Sequence, residues 1–195
     1  MCGRYYIAEE DSAAELQEII EQLNRRGAEV KTGEIYPTDT VPVLANNKSM
    51  VITPFAMKWG YTLPDGKQII NARSETAADK PLFRDGMLQR RCLIPATNYF
   101  EWEKRGRDRI KYVIRECDSP ILYMAGVYRI ENGKPVFSIL TREPAESIAF
   151  IHNRMPVILP IEAKNDWLNV RYAAGDVLKT SCLMNINDAS FMRCD

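Results

Sequence analysis

Histidine is almost absent from this 195-residue sequence: His152 stands alone, which excludes a His-rich metal cluster. The five cysteines, Cys2, Cys92, Cys117, Cys182 and Cys194, are odd in number, widely spaced and without a CxxC pair. Neither a disulfide framework nor a zinc site is indicated. No apolar run approaches the length needed to cross a bilayer, and the N-terminus lacks the basic, apolar and small-residue order of a signal peptide. These absences predict a cytoplasmic protein with reduced thiols, no metal and no membrane partner. Net charge is lacking too, since 26 Lys and Arg balance 26 Asp and Glu. That balance argues against nonspecific coating of nucleic acid and leaves a local basic patch open. There is no internal repeat and no low-complexity linker, so residues 1–195 are expected to form a single domain with a sizeable core.

What is present divides into two textures. SAAELQEIIEQLNRR, from Ser12, carries Leu16, Ile19, Ile20 and Leu23 at helical spacing, with Ser12 and Glu15 as a capping box. EIYPTDTVPVL is too irregular for a helix, because Pro37 and Pro42 interrupt it. From Met50 to Leu140 come short β-rich runs: VITPFAMKWGY, KQIINAR, RCLIPA, YFEWEK, RIKYVIRE, ILYMAGVYRI and KPVFSIL. Turn signals such as Asp118-Ser119-Pro120 separate them, and Glu131-Asn132-Gly133 is the strongest hairpin signal. Short helical pieces are predicted at SETAADKPLFRDGMLQ, EPAESIAFI and IEAKNDWLN. The expected class is α+β, with a mostly antiparallel, barrel-like sheet flanked by short helices.

Several polar groups stand out against this framework. Cys2 is either a small apolar residue of a buried first strand or, once Met1 is removed, a residue with an amine and a thiol on neighbouring carbons. NARSET places Asn71, Arg73, Ser74 and Glu75 at the end of an apolar run; Ser74 could equally cap a following helical turn. Glu101 lies between Phe100 and Trp102, exposed if the aromatics face the core, buried and suited to proton transfer if both faces are covered. His152 in IHNRMPV is a structural residue or a proton relay. EKRGRDRIK gathers Lys104, Arg105, Arg107, Arg109 and Lys111 around Gly106, either as a solvated hairpin tip or as a phosphate track beside Trp102.

Taken in order, MCGRY, the WG at 59–60, NARSET, RCLIPATNYFEW and HNRMP resemble the SOS response-associated peptidase family of abasic-site processing proteins. The likeness runs from Cys2 to about Pro156 and weakens toward Leu183–Asn187. It implies loss of Met1 and covalent capture of abasic sites in single-stranded DNA by Cys2 as a thiazolidine, which shields the lesion during a DNA damage response. By the same resemblance Glu101 moves protons, His152 is a second acid or base that also serves crosslink reversal, and Asn71 orients Cys2 or the opened sugar. Arg4, Arg73 and Arg154 would hold flanking phosphates, with Ser74, Glu75 and Trp102 shaping the DNA channel. The expected protein is a monomer that needs no cofactor. Where the family usually has a glycine between CLIPA and YEW, this chain reads Thr97-Asn98-Tyr99-Phe100, and Asn98 is expected to tolerate a left-handed turn there. Two alternatives stand beside it: a cysteine peptidase that removes its own Met1 or cuts other proteins with Cys2, Glu101 and His152, and a nonenzymatic single-strand binding module that uses Arg73, Trp102 and the basic tip, with Cys2 incidental.

Overall fold

The computed structural model describes residues 2–8, 14–116, 119–184 and 189–193, with side chains up to Thr180 except Glu116. Met1, Ser12, Cys117, Asp118 and Cys194 lie outside the described residues, so the capping box and the Asp118 turn are not assessed. In chain order the strands begin with β1 (Tyr5–Ile7), β2 (Gly33–Ile35), β3 (Thr40–Asn46), β4 (Ile52–Trp59) and β5 (Tyr61–Thr62). They continue with β6 (Gln68–Ile69), β7 (Asn71–Arg73), β8 (Arg91–Ala96), β9 (Asn98–Arg105) and β10 (Asp108–Glu116). The last are β11 (Leu122–Glu131), β12 (Lys134–Arg142), β13 (Met155–Pro156), β14 (Ile158–Leu159) and β15 (Ala189–Arg193). The helices are α1 (Ala14–Asn24), α2 (Pro81–Gln89), α3 (Lys164–Leu168) and α4 (Ala174–Met184).

Five strands close on themselves: β12 pairs with β4, β4 with β3, β3 with β8, β8 with β11, and β11 returns to β12. The result is the expected α+β class with a barrel-like core. Closure removes free sheet edges, and alternate residues fill the interior. Trp59, Phe137, Leu93, Ile94 and Met57 are fully buried, Leu93 and Ile94 on opposite faces of β8. Two pairings on β12, with β4 and with β7, are parallel. A second sheet, ordered β15-β10-β9-β1-β2, holds the N-terminal strand between β9 and β2. Trp59 links the two sheets: its ring lies 5.1 Å from Tyr5 and 6.4 Å, stacked, from Phe137.

The end of β6 and β7 are tied to β12 from one side by hydroxyls of two buried residues. Ser138 Oγ donates to the Ile69 carbonyl at 2.6 Å and Thr141 Oγ1 to the Ala72 carbonyl at 3.3 Å. Ile139 N–H adds a bond to the Ile70 carbonyl at 3.0 Å. The hairpin at Asn132-Gly133 is present, joining β11 to β12 with φ of 49° and 78°, both left-handed as a two-residue turn requires. α1 buries Leu16, Ile19 and Leu23, the stripe its periodicity predicts.

Three local expectations need correction. The SETAAD segment forms turns, and α2 starts only at Pro81, because the residue before a proline is driven out of the helical region; Lys80 has φ −83° and ψ 125°. EPAESIAFI yields one 3₁₀ turn, Glu146–Ile148, rather than a longer helix. Asn98 is not left-handed: it opens β9 opposite Tyr6, while Thr97 takes the corner through its N–H to the Tyr6 carbonyl at 2.8 Å. Thr97 Oγ1 also accepts the Ala8 N–H at 3.0 Å.

Candidate active site

Cys2 precedes β1 and packs where the two sheets meet. Its side chain is fully buried, and its Sγ–H faces the Arg4 carbonyl at 3.8 Å, a weak contact. The Cys2 carbonyl accepts a hydrogen bond from Asn71 Nδ2 at 2.8 Å. Asn71 can reach it because it is the first residue of β7, held in register opposite Ile139 of the barrel. One side-chain amide thus ties the N-terminal segment of one sheet to the barrel.

Glu101 is 5% exposed, which decides between the two sequence readings: at this point β9 is covered on both faces. Burial, with a smaller contribution from the nearby Glu101 charge, pushes the Cys2 thiol up to about 12. Tyr5 and Tyr99 lie opposite one another on β1 and β9. Their hydroxyls are buried without a hydrogen-bond partner among the described residues, as is Asn71 Oδ1. Burial raises both phenols well above their usual range, with the Cys2 charge adding to it. Cys2, Asn71, Glu101, Tyr5 and Tyr99 therefore form one dry polar cluster. The two tyrosines were missed in the sequence, although Tyr99 shares strand parity with Glu101 and could have been found that way.

His152 and Arg154 lie on the loop that leads into β13, beside β7 and the end of β12. His152 Nδ1 accepts the Arg154 N–H at 3.1 Å, so the neutral imidazole carries its proton on Nε2. Arg154 makes a two-pronged pair with Glu75, 2.9 Å on each arm, and donates to the Thr141 carbonyl at 2.5 Å. Glu75, despite partial burial that pushes its carboxyl up, is held below the usual range by Arg154 and Arg73. Ser74 N–H donates to the Thr141 carbonyl at 2.9 Å, and turns rather than a helix follow it. Arg73 is exposed beside them. Phe150 reaches back to the second sheet, its ring edge-on to Tyr112 at 5.7 Å, and Tyr112 faces Glu101 across β9 and β10.

On the other flank, Arg4 lies between two aromatic faces, 4.2 Å from the Tyr36 ring and 5.1 Å from the Trp102 ring. Glu34 Oε1 accepts from Arg4 Nη1 at 3.2 Å and from Lys111 Nζ at 3.0 Å. Of the basic hairpin, Lys104, Arg105, Arg107 and Arg109 form the solvated tip, and only Lys111 turns toward the aromatics, 3.9 Å from the Phe100 ring. Among the described residues no group of three or more His, Cys, Asp or Glu side chains could hold a metal ion. No described helix is long and apolar enough to cross a membrane.

A closed β-barrel with an added sheet carries a buried cysteine ahead of its first strand, beside a carboxylate and an amide. Residues 1–194 match the family "SOS response associated peptidase (SRAP)". The abasic site processing protein YoqW of Bacillus subtilis is 32% identical over 197 residues, which span 92% of this chain and 85% of that protein. The abasic site processing protein YedK of Escherichia coli is 29% identical over 94% of this chain and 87% of its own length. A solved structure from Bacteroides thetaiotaomicron shares the fold, with a TM-score of 0.77 at 22% identity over 100% of this chain and 92% of that one. The chain belongs to the SOS response associated peptidase family.

Proposed function

We propose that this chain processes abasic sites in single-stranded DNA by forming a covalent crosslink through Cys2 after Met1 is removed. The observation that carries the reading is the Asn71 Nδ2 bond to the Cys2 carbonyl, which seats the N-terminal residue against buried Glu101. The names of the curated relatives point to the same lesion.

The chemistry closes without a cofactor. The Cys2 amine adds to the aldehyde carbon of the ring-opened abasic sugar, and the carbinolamine loses water to give an imine. Cys2 Sγ then adds to the imine carbon, and the thiol proton passes to nitrogen. A five-membered thiazolidine results, with one water released overall. Glu101 shuttles protons for ring opening and dehydration. His152 acts as a second acid or base, with the greater part in reversal. Asn71 fixes the direction of the terminal residue. Arg4, Arg73 and Arg154 take flanking phosphates, and Ser74, Glu75 and Trp102 border the strand.

Self-cleavage through a Cys2 thiolate is less favoured. Burial pushes the thiol up to about 12 and so keeps it protonated near neutral pH. Imine formation starts from the amine and does not need a thiolate.

The test is incubation of Met1-processed protein with a single-stranded oligonucleotide bearing one abasic site, followed by heat and a denaturing gel. A shifted band is expected for the parent, none for Cys2→Ala, slower growth for Glu101→Gln, and altered reversal for His152→Ala. A parent without an adduct, or an adduct that survives Cys2→Ala, overturns the proposal. A nonenzymatic binding module would bind equally well with or without the missing base.

A further inference from the structure

Arg4 and Lys111 share one carboxylate oxygen, Glu34 Oε1, at 3.2 and 3.0 Å. Two cations on a single oxygen use little of what either can donate. Arg4 Nε is buried without a hydrogen-bond partner among the described residues, so the guanidinium fork is half used. Its plane is fixed all the same by the Tyr36 and Trp102 rings on either side. Glu34 is set in β2 opposite Tyr6 of β1, which brings its carboxylate over Arg4. The three side chains are 31%, 31% and 29% exposed, open enough for a strand of nucleic acid to reach them. Tyr36, 40% exposed, offers a ring face beside them on which a base can stack.

We infer that Arg4 and Lys111 form a phosphate subsite in which Glu34 is a built-in competitor, displaced by a backbone phosphate, that keeps undamaged single-stranded DNA weakly bound. A phosphodiester brings two non-bridging oxygens, so it can serve Arg4 and Lys111 separately, which the single Glu34 oxygen does not. The ion pair supports this geometry. Partial burial pushes the Glu34 carboxyl up, yet Lys111 and Arg4 outweigh it and hold the group below the usual range, so it competes as an anion. The consequence is selectivity by subtraction. The competitor weakens every strand equally, whereas only an abasic strand regains what is lost by bonding to Cys2. The inference rests on the proposed function and names a determinant of its selectivity.

The test measures fluorescence anisotropy of an undamaged 15-nucleotide strand against salt for the parent, Glu34→Gln and Glu18→Gln. Glu18 lies on the exposed face of α1 and removes the same charge elsewhere. Glu34→Gln is expected to bind about three- to tenfold tighter, with a salt slope steeper by about 0.7, because loss of one carboxylate raises the net charge of the subsite by one. Glu18→Gln should match the parent. Adding Lys111→Met to Glu34→Gln should cancel the gain. Unchanged or weaker binding by Glu34→Gln, or an equal gain in Glu18→Gln, overturns the inference. Adduct formation by the parent on an abasic strand is scored separately, so its absence sinks the proposed function and leaves the affinity comparison standing on its own.

Discussion

Asn71 and Cys2 are 69 residues apart, joined by one hydrogen bond of 2.8 Å from an amide whose oxygen is buried without a donor among the described residues. Removing the amide frees the terminal residue to rotate, which misaligns the amine without touching the phosphate contacts. Asn71→Ala should slow single-turnover adduct formation about 10- to 100-fold, with affinity for undamaged strand within twofold. Asn71→Asp should be slower still, since it sets a buried carboxylate against the Cys2 carbonyl and near Glu101. The residue types of the site were legible in MCGRY, NARSET, YFEWEK and HNRMP. Their mutual contacts were not, because the partner of Asn71 is a backbone carbonyl, which no sequence pattern marks. The same holds for Glu34, an ordinary glutamate until β2 sets it over Arg4.

At the level of elements, legibility followed the range of the interactions. The β11–β12 hairpin was readable because Asn132-Gly133 encodes its turn locally, and α1 because its stripe is local too. The parallel pairings of β12 with β4 and β7 were not, since they depend on barrel closure. β3 runs through Pro42 because β8 pairs only with Leu44 and Ala45, leaving no ladder for the proline to interrupt on that side. Closure also demands one close approach in β11. A methyl group on Gly126 would sit 2.5 Å from Ile94 Cδ1, 3.0 Å from the Ser138 carbonyl oxygen and 3.1 Å from Cys92 Sγ. Gly126→Ala should therefore cost about 1–3 kcal/mol in urea unfolding, through overpacking rather than backbone strain.

For the molecule as a whole, the class could be read from the β-rich middle, whereas the junction between the sheets, where the site lies, could not. That junction is dry, and dryness has a pH signature. Cys2 and Cys92 are both fully buried, the first pushed up to about 12 and the second likewise raised by burial. Unfolding returns each to an ordinary thiol near pH 8.5, so above that value the unfolded chain holds fewer protons than the folded one. Stability is then fully present below about pH 8.5 and falls as pH rises, by up to about 1.4 kcal/mol per pH unit for each thiol. Urea midpoints between pH 8 and 10 should show this decline, and Cys2→Ala should halve its slope; a flat profile would contradict the buried thiols. The hydroxyl ties of Ser138 to the end of β6 and of Thr141 to β7 bear on time rather than position. To peel residues 69–72 away, both hydroxyls must give up their partners, at about 1–3 kcal/mol each, so this segment opens rarely while the barrel stands. A terminal residue clasped by Asn71 is thereby kept seated for the lifetime of the native state, and local fraying is no route to its release.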